Sequence, residues 1–367
     1  MAKRRTILRA GLVVAGSLAI VIAGLFVLKG RIEKRLHGDL EDRGSAFIGG
    51  DISIGKVRIS PFPPSIRLEK VRALMVGNRG SRALGAAPTI TATTGWRYLL
   101  DGGRRPMRIV VEGPLVQLTL AEGREWFPDG ALLAAAFERS QRIAAGWWVE
   151  VRSGRLEVKW SGGPRGSLSG IRLETGTESS DRGVQGRLEF TGGELSAEDG
   201  VWQELRGETR FVLEAGGLRF DPLAIHGDRF AMVGNIFLVA GARQRVEGAV
   251  KIGLDAARLA AYFPETAGVA GRLEGNLVGA WEDGVVTAQG DVRAAALNLW
   301  GLQLDGLESD LTIANGIALR MLRAHLLGGQ ATGSLDTSPT DTGFGLDADL
   351  RLDGLDLAAL LVLGAWA

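Results

Sequence analysis

The chain has 367 residues, 46% of them hydrophobic, which is enough for two or three domains with a core. Its net charge of +1 is uneven: residues 1–43 hold nine Lys/Arg against four Asp/Glu, and the mildly acidic remainder, with no basic stripe, argues against a nucleic-acid partner. No cysteine is present, which excludes disulfides, zinc–thiolate centres and a thiol nucleophile, and the 54 glycines lack the G-X-Y period of collagen and are assigned to spacing strands.

Lys3, Arg4, Arg5 and Arg9 precede residues 10–28, nineteen positions without a charge. As a helix they would be about 29 Å long, close to the thickness of a bilayer core. Eleven are Leu, Ile, Val or Phe, worth roughly −3 to −7 kcal/mol of gross insertion energy. Leu12, Val13, Leu18, Val21, Leu25 and Phe26 are the expected lipid-facing anchor residues. A cleaved signal peptide is the rival, but its apolar region would be about 7–15 residues and end in small residues, whereas Phe26-Val27-Leu28-Lys29 closes this one. An uncleaved span, N-terminus inside, is expected. Gly11, Ala15, Ala19 and Ala23 fall four apart, either a small-residue ridge for a transmembrane helix partner or the product of an Ala-rich composition. Residues 31–50 read as a juxtamembrane helix with cations near the headgroups.

From Asp51 the apolar period becomes two. Ile52 and Ile54 alternate, Gly55 interrupts, and Val57 and Ile59 continue on shifted parity, the pattern of a bulge. The Pro-rich stretch 61–64 turns the chain into the strand of Ile66 and Leu68. Further strands are expected at 89–94, 108–112, 115–120, 155–160, 183–192, 209–214, 218–225, 230–239, 244–254, 271–279, 285–294, 302–305, 310–313, 317–326, 330–335 and 343–352. Short helical stretches are expected at 96–100, 131–145 and 256–262.

The chain also repeats itself. Gly217-Leu-Arg-Phe-Asp-Pro-Leu-Ala-Ile-His226 matches Gly316-Ile-Ala-Leu-Arg-Met-Leu-Arg-Ala-His325 at an offset of 99, which Gly234 and Gly333 share. Residues 252–261 match 350–359 at an offset of 98. A fixed period indicates stacked supersecondary units.

Catalytic signatures are missing. No phosphate loop, zinc-protease motif or dinucleotide fingerprint occurs, and the stretch Gly166-Ser-Leu-Ser-Gly170 puts Leu168 where a nucleophile elbow needs serine. His226 and His325 belong many strands apart, too far to share a metal. Acidic positions such as Glu282, Asp347 and Asp349 sit at turns or alternate along strands, where solvated carboxylates belong. No enzyme activity, metal or cofactor is expected.

An N-terminal span, then residues 49–60, a Pro-rich turn, Ile66-Arg-Leu-Glu-Lys-Val71 and Ile109-Val-Val-Glu-Gly-Pro-Leu-Val-Gln-Leu118, is similar to the start of AsmA-like proteins, a family that includes the inner-membrane subunit of the translocation and assembly module. The block from Leu254 through residues 271–279 to Gly333 resembles that family's repeat. The resemblance implies a mainly β protein: a transmembrane helix, then an elongated, curved antiparallel β-groove with a few short helices. It implies an inner-membrane, single-pass protein with its bulk in the periplasm. The role implied is phospholipid transfer between membranes or upkeep of the outer membrane. The longest members are several times this length, and the chain stops mid-repeat, as a short or truncated member would.

The expected plan is an anchor (1–30), a juxtamembrane helix (31–50), a first groove segment (51–126), a helical insert (127–146), a second groove segment (147–262) and a third repeat segment (263–367). Residues expected to line the groove are Ile52, Ile54, Ile109, Val111, Leu118, Leu156, Val158, Trp160, Phe220, Ile252, Leu254 and Leu319. About twenty strands at 4.8 Å would give a path on the order of 100 Å. The implied partners are membrane and phospholipid. An ordinary filled sandwich without ligand is the alternative for the face, and a scaffold that binds an outer-membrane assembly protein through strand edges is the alternative for function.

Overall fold

The structure is a computed structural model. It describes residues 30–46, 48–76, 82–94, 107–120, 147–160, 165–176, 184–197, 200–214, 217–239, 245–257, 268–282, 285–299, 301–314, 316–340 and 343–356. Among the described residues one helix, α1 (30–46), leads into twenty strands. These are β1 (Asp51–Pro61), β2 (Pro64–Val76), β3 (Arg82–Thr93), β4 (Met107–Glu112), β5 (Leu115–Leu120), β6 (Trp147–Trp160) and β7 (Arg165–Gly176). Then come β8 (Val184–Phe190), β9 (Gly192–Ala197), β10 (Gly200–Trp202), β11 (Arg206–Glu214), β12 (Gly217–Gly227), β13 (Phe230–Val239) and β14 (Arg245–Asp255). The last are β15 (Val269–Glu282), β16 (Val285–Leu299), β17 (Leu302–Ile313), β18 (Ile317–Leu326), β19 (Gly329–Thr340) and β20 (Gly343–Asp353).

All belong to one curved sheet whose spatial order follows the chain. Three lanes hold two short strands end to end: β4 with β5 beside β3 and β6, β8 with β9 beside β7, and β10 with β11 beyond them. Seventeen lanes result, a path of about 80 Å at 4.8 Å each rather than the 100 Å expected from twenty. The sheet stays open: among the described residues β1 and β20 do not pair.

The meander is not wholly antiparallel. β6 runs parallel to β4 and β5 at a constant offset, from Met107 beside Trp147 to Leu120 beside Trp160. The chain leaves that lane at Leu120 and returns at its opposite end, so a parallel neighbour is the only register available. Residues 121–146, with the expected helix 131–145, lie outside the described residues, as does 96–100; of 256–262 only 256–257 are described, as the start of a tight helical turn. The anchor residues Leu12, Val13, Leu18, Val21, Leu25 and Phe26 also lie outside them. Among the described residues no helix is long and apolar enough to cross a membrane.

The expected parity shift in β1 is present: Ile54 and Val57, three apart, are 6% and 5% exposed. Opposite, Lys70 takes a left-handed conformation (φ 56°) between Leu68 and Val71. The same step of three separates Leu168 from Ile171, Phe220 from Leu223, Leu304 from Leu307 and Leu319 from Leu322. An extra residue kinks and twists a strand. Because one residue of slip would turn every later side chain to the other face, a step of three after each kink restores the apolar residues to their own side. This also explains why β7 is not expected from the sequence: Gly170 (φ 62°) breaks its alternation in the middle. Positions 302–305 and 310–313, expected as two strands, form the single β17 for the same reason, with Gly306 (φ 65°) between them.

The repeat is structural. Hairpin β12–β13 recurs as β18–β19, with the irregularity at Phe220/Leu223 reproduced at Leu319/Leu322 and Leu223 opposite Gly234 as Leu322 is opposite Gly333.

Candidate functional site

One face of the sheet is apolar in every lane. A single register row crosses it without a break: Val57, Leu68, Ile90, Val111, Val151, Leu173, Leu188, Thr209, Leu223, Gly234, Val250, Leu277, Gly290, Leu311, Leu319, Leu335 and Ala348, each opposite the next. Its one hydroxyl, on Thr209, is buried and donates to the Arg210 carbonyl at 2.9 Å.

Eleven of the twelve residues expected to line a groove fall on this face. Val111 and Leu319 lie in the row itself. Ile52 pairs with Ala73, Ile54 with Val71, Ile109 with Ala92 and Val149, Leu118 with Val158, and Leu156 with Val116 and Leu168. Phe220 pairs with Phe211 and Ile236, Ile252 with Met232 and Gly275, and Leu254 with Phe230 and Leu273. Trp160 holds the register position beside Leu120.

Most of this surface is half-buried. The main packed cluster is Ala256, Ala294, Leu297, Leu304, Leu307 and Ala324, under the end of β14 and beside β16, β17 and β18. Elsewhere large side chains reach solvent, with Ile317 46%, Leu350 45% and Leu352 51% exposed. Glycines shape the floor. Gly186 and Gly207 leave no room for a Cβ because the rings of Phe211 and Phe190 lie over them, so these two glycines serve the face and not strand spacing alone.

The opposite face is polar and laced with ion pairs. Arg58 and Arg67 meet Glu69 at 3.0 and 3.7 Å, Arg187 bridges Glu189 and Glu208, and Arg320 meets Asp336 at 2.8 Å. Glu150 is held by Arg152 and by Arg108, the latter at 2.5 Å; these hydrogen bonds, that of Arg152 first, keep its carboxyl below the usual range against a small opposing desolvation. His226 stands opposite Arg206 and His325 opposite Asp305, both exposed and six lanes apart. That separation is about 29 Å at the usual lane spacing, so the two cannot share an ion. Among the described residues no group of three His, Asp or Glu could hold a metal. Asp347 and Asp349 are exposed on β20.

The sequence does not reveal how the β1 edge is finished. Its outward amides donate to side chains of α1: Ile52 to Ser45 Oγ at 2.8 Å, Ile54 to Glu41 Oε1 at 2.6 Å and Ile59 to Glu33 Oε1 at 2.8 Å. The only signal was a pair of carboxylates eight apart, on one helix face just before a strand. Neither a protein-family model nor a curated protein matches this chain.

Proposed function

We propose that the chain is a membrane-tethered β-groove protein whose apolar face shields lipid acyl chains during phospholipid transfer between membranes or outer-membrane upkeep, as the resemblance to AsmA-like proteins suggests. The observation that carries this reading is the apolar row through all seventeen lanes, left half-open, on a sheet whose other face is charged. A sixteen-carbon chain leaving a bilayer gives up roughly 13 kcal/mol at 0.8 kcal/mol per CH₂, so a passive path must offer apolar surface at every step. An interruption of even a few lanes would restore much of that barrier. In this reading residues 10–28 anchor the chain in the inner membrane, the sheet lies in the periplasm, and the mechanism is partitioning without catalysis.

The test places a photoreactive amino acid at Ile109, Leu156, Phe220, Ile252 or Leu319, and at Glu157, Arg219, Lys251 or Arg320 on the charged face, in cells. Phospholipid adducts confined to the first set are expected. Equal labelling of both sets, or none, overturns the reading.

The edge of β20, which among the described residues pairs only with β19, favours a second reading, an adaptor that binds an outer-membrane assembly protein by strand addition. A stoichiometric protein partner, with no lipid released by solvent extraction, would select it.

A further inference from the structure

We propose that the β1–β2 hairpin and the first turns of α1 form a second membrane contact, which seats on anionic phospholipid headgroups independently of residues 10–28. The inference rests on the membrane-tethered reading above and adds where the folded part meets the bilayer. The bonds from Ile59 to Glu33, Ile54 to Glu41 and Ile52 to Ser45 set α1 antiparallel to β1. The start of α1, at residue 30, therefore lies beside the hairpin tip at Phe62 and Pro63. The apolar segment ends at Leu28, so the chain enters the folded part at that tip.

Two side chains at this end are apolar and exposed, Phe62 at 79% and Ile32 at 48%. Cations surround them. Arg31, Lys34 and Arg35 are exposed on the first turns of α1. Arg58 and Arg67 face each other four residues behind Phe62 and Pro63, about 13 Å from the tip, and share the single carboxylate of Glu69. From Lys56 to Arg72 the hairpin holds five cations and one carboxylate. Along the rest of the charged face arginines such as Arg187, Arg245 and Arg320 meet carboxylates; here positive charge is in surplus.

An apolar tip ringed by Lys and Arg is the arrangement that sits at a bilayer interface, the ring reaching the acyl boundary and the cations the headgroups. Attraction to an anionic surface fades within a Debye length, about 8 Å at physiological salt. Arg31, Lys34 and Arg35, on the turns of α1 beside the tip, therefore govern the contact, and Arg58, Arg67, Lys70 and Arg72, farther along the hairpin, contribute little.

Because the chain has no cysteine, Phe62→Cys introduces a unique thiol for a polarity-sensitive fluorophore. Met321→Cys, at a position 66% exposed on β18, is the control. The full chain is reconstituted into phosphatidylcholine vesicles with and without phosphatidylglycerol. With phosphatidylglycerol, the label at position 62 should shift to the blue and be quenched by lipids carrying a shallow nitroxide, while that at 321 stays water-like. Quenching at 62 should fall severalfold without phosphatidylglycerol, in high salt, or when Arg31→Gln, Lys34→Gln and Arg35→Gln are added. A label at 62 as wet as that at 321, or quenching indifferent to lipid charge and salt, overturns the proposal. Flotation separates the two levels: a chain that floats with position 62 wet overturns this inference alone, whereas a chain that fails to float overturns the tether reading beneath it.

Discussion

The two ends of the sheet are finished differently. At β1 the outward amides of Ile52, Ile54 and Ile59 are taken by Ser45, Glu41 and Glu33, and Ile54 is 6% exposed. At β20 the strand pairs only with β19 among the described residues, Leu350 and Leu352 stand about half exposed, and Asp347, Asp349, Arg351 and Asp353 alternate on the charged face. An unpaired edge recruits other strands unless it is covered or charged. One end is covered and the other is charged, so a helix and a row of carboxylates answer the same hazard. Among the described residues, only the charged solution leaves room for a further strand.

The largest expected contrast comes from putting one carboxylate on the apolar face at each end. Ile54→Asp removes a buried side chain and strands a charge, and should cost about 4 kcal/mol or more. Leu350→Asp meets water and should stay within about 1 kcal/mol. Urea unfolding of the two variants measures the difference; equal losses would mean that the two ends are equally packed.

The cap itself supplies the next contrast. Replacing Glu33 and Glu41 together by Ala removes two charge-assisted hydrogen bonds and should cost about 2–3 kcal/mol in the same measurement. Hydrogen exchange resolves it by residue. The amides of Ile54 and Ile59 should exchange on the order of 100-fold more slowly than the outward amides of β20, and the double variant should erase most of that protection. Unchanged exchange at Ile54 would show that the carboxylates do not protect the edge.

These differences mark what the sequence could carry. Which residues share one side of a strand was legible, because a two-residue period survives wherever it is read within one strand, and the shift at Ile54/Val57 was visible because Gly55 flags it; which side would line a groove was not. Strand extents were harder. In β7 and β17 the kink falls mid-strand, the apolar set resumes three residues on, and alternation read across Gly170 or Gly306 cancels. The parallel neighbour of β4 and β5 and the sealing of β1 by Glu33 and Glu41 depend on where distant segments meet, which no local pattern encodes. The repeat was legible for the opposite reason: β12–β13 and β18–β19 share one local irregularity, with Leu223 opposite Gly234 and Leu322 opposite Gly333, so the same constraint wrote both glycines at the same offset.

The smallest contrast is electrostatic and has opposite signs at the two places compared. Glu150, in an interior lane, takes hydrogen bonds from Arg152 and Arg108, and its carboxyl titrates below its usual 4.5. A depressed folded value adds stability that is present above 4.5 and is lost as the pH falls through the lower folded value. Only 12% of the side chain is exposed, but both arginines face solvent, so the gain is screened and small. Asp347, near the open end, stands directly opposite Asp336, whose cation Arg320 lies on the far side in β18. Like charges facing across two strands repel by a few tenths of a kcal/mol. At pH 7, Glu150→Gln should therefore lower stability slightly and Asp347→Asn raise it slightly, both effects shrinking in high salt. As the pH falls through the lowered folded value, protonation of Glu150 removes what Glu150→Gln changes, so that variant should then converge on the parent chain. If Asp347→Asn destabilises at pH 7, Asp347 has a partner that no described residue supplies.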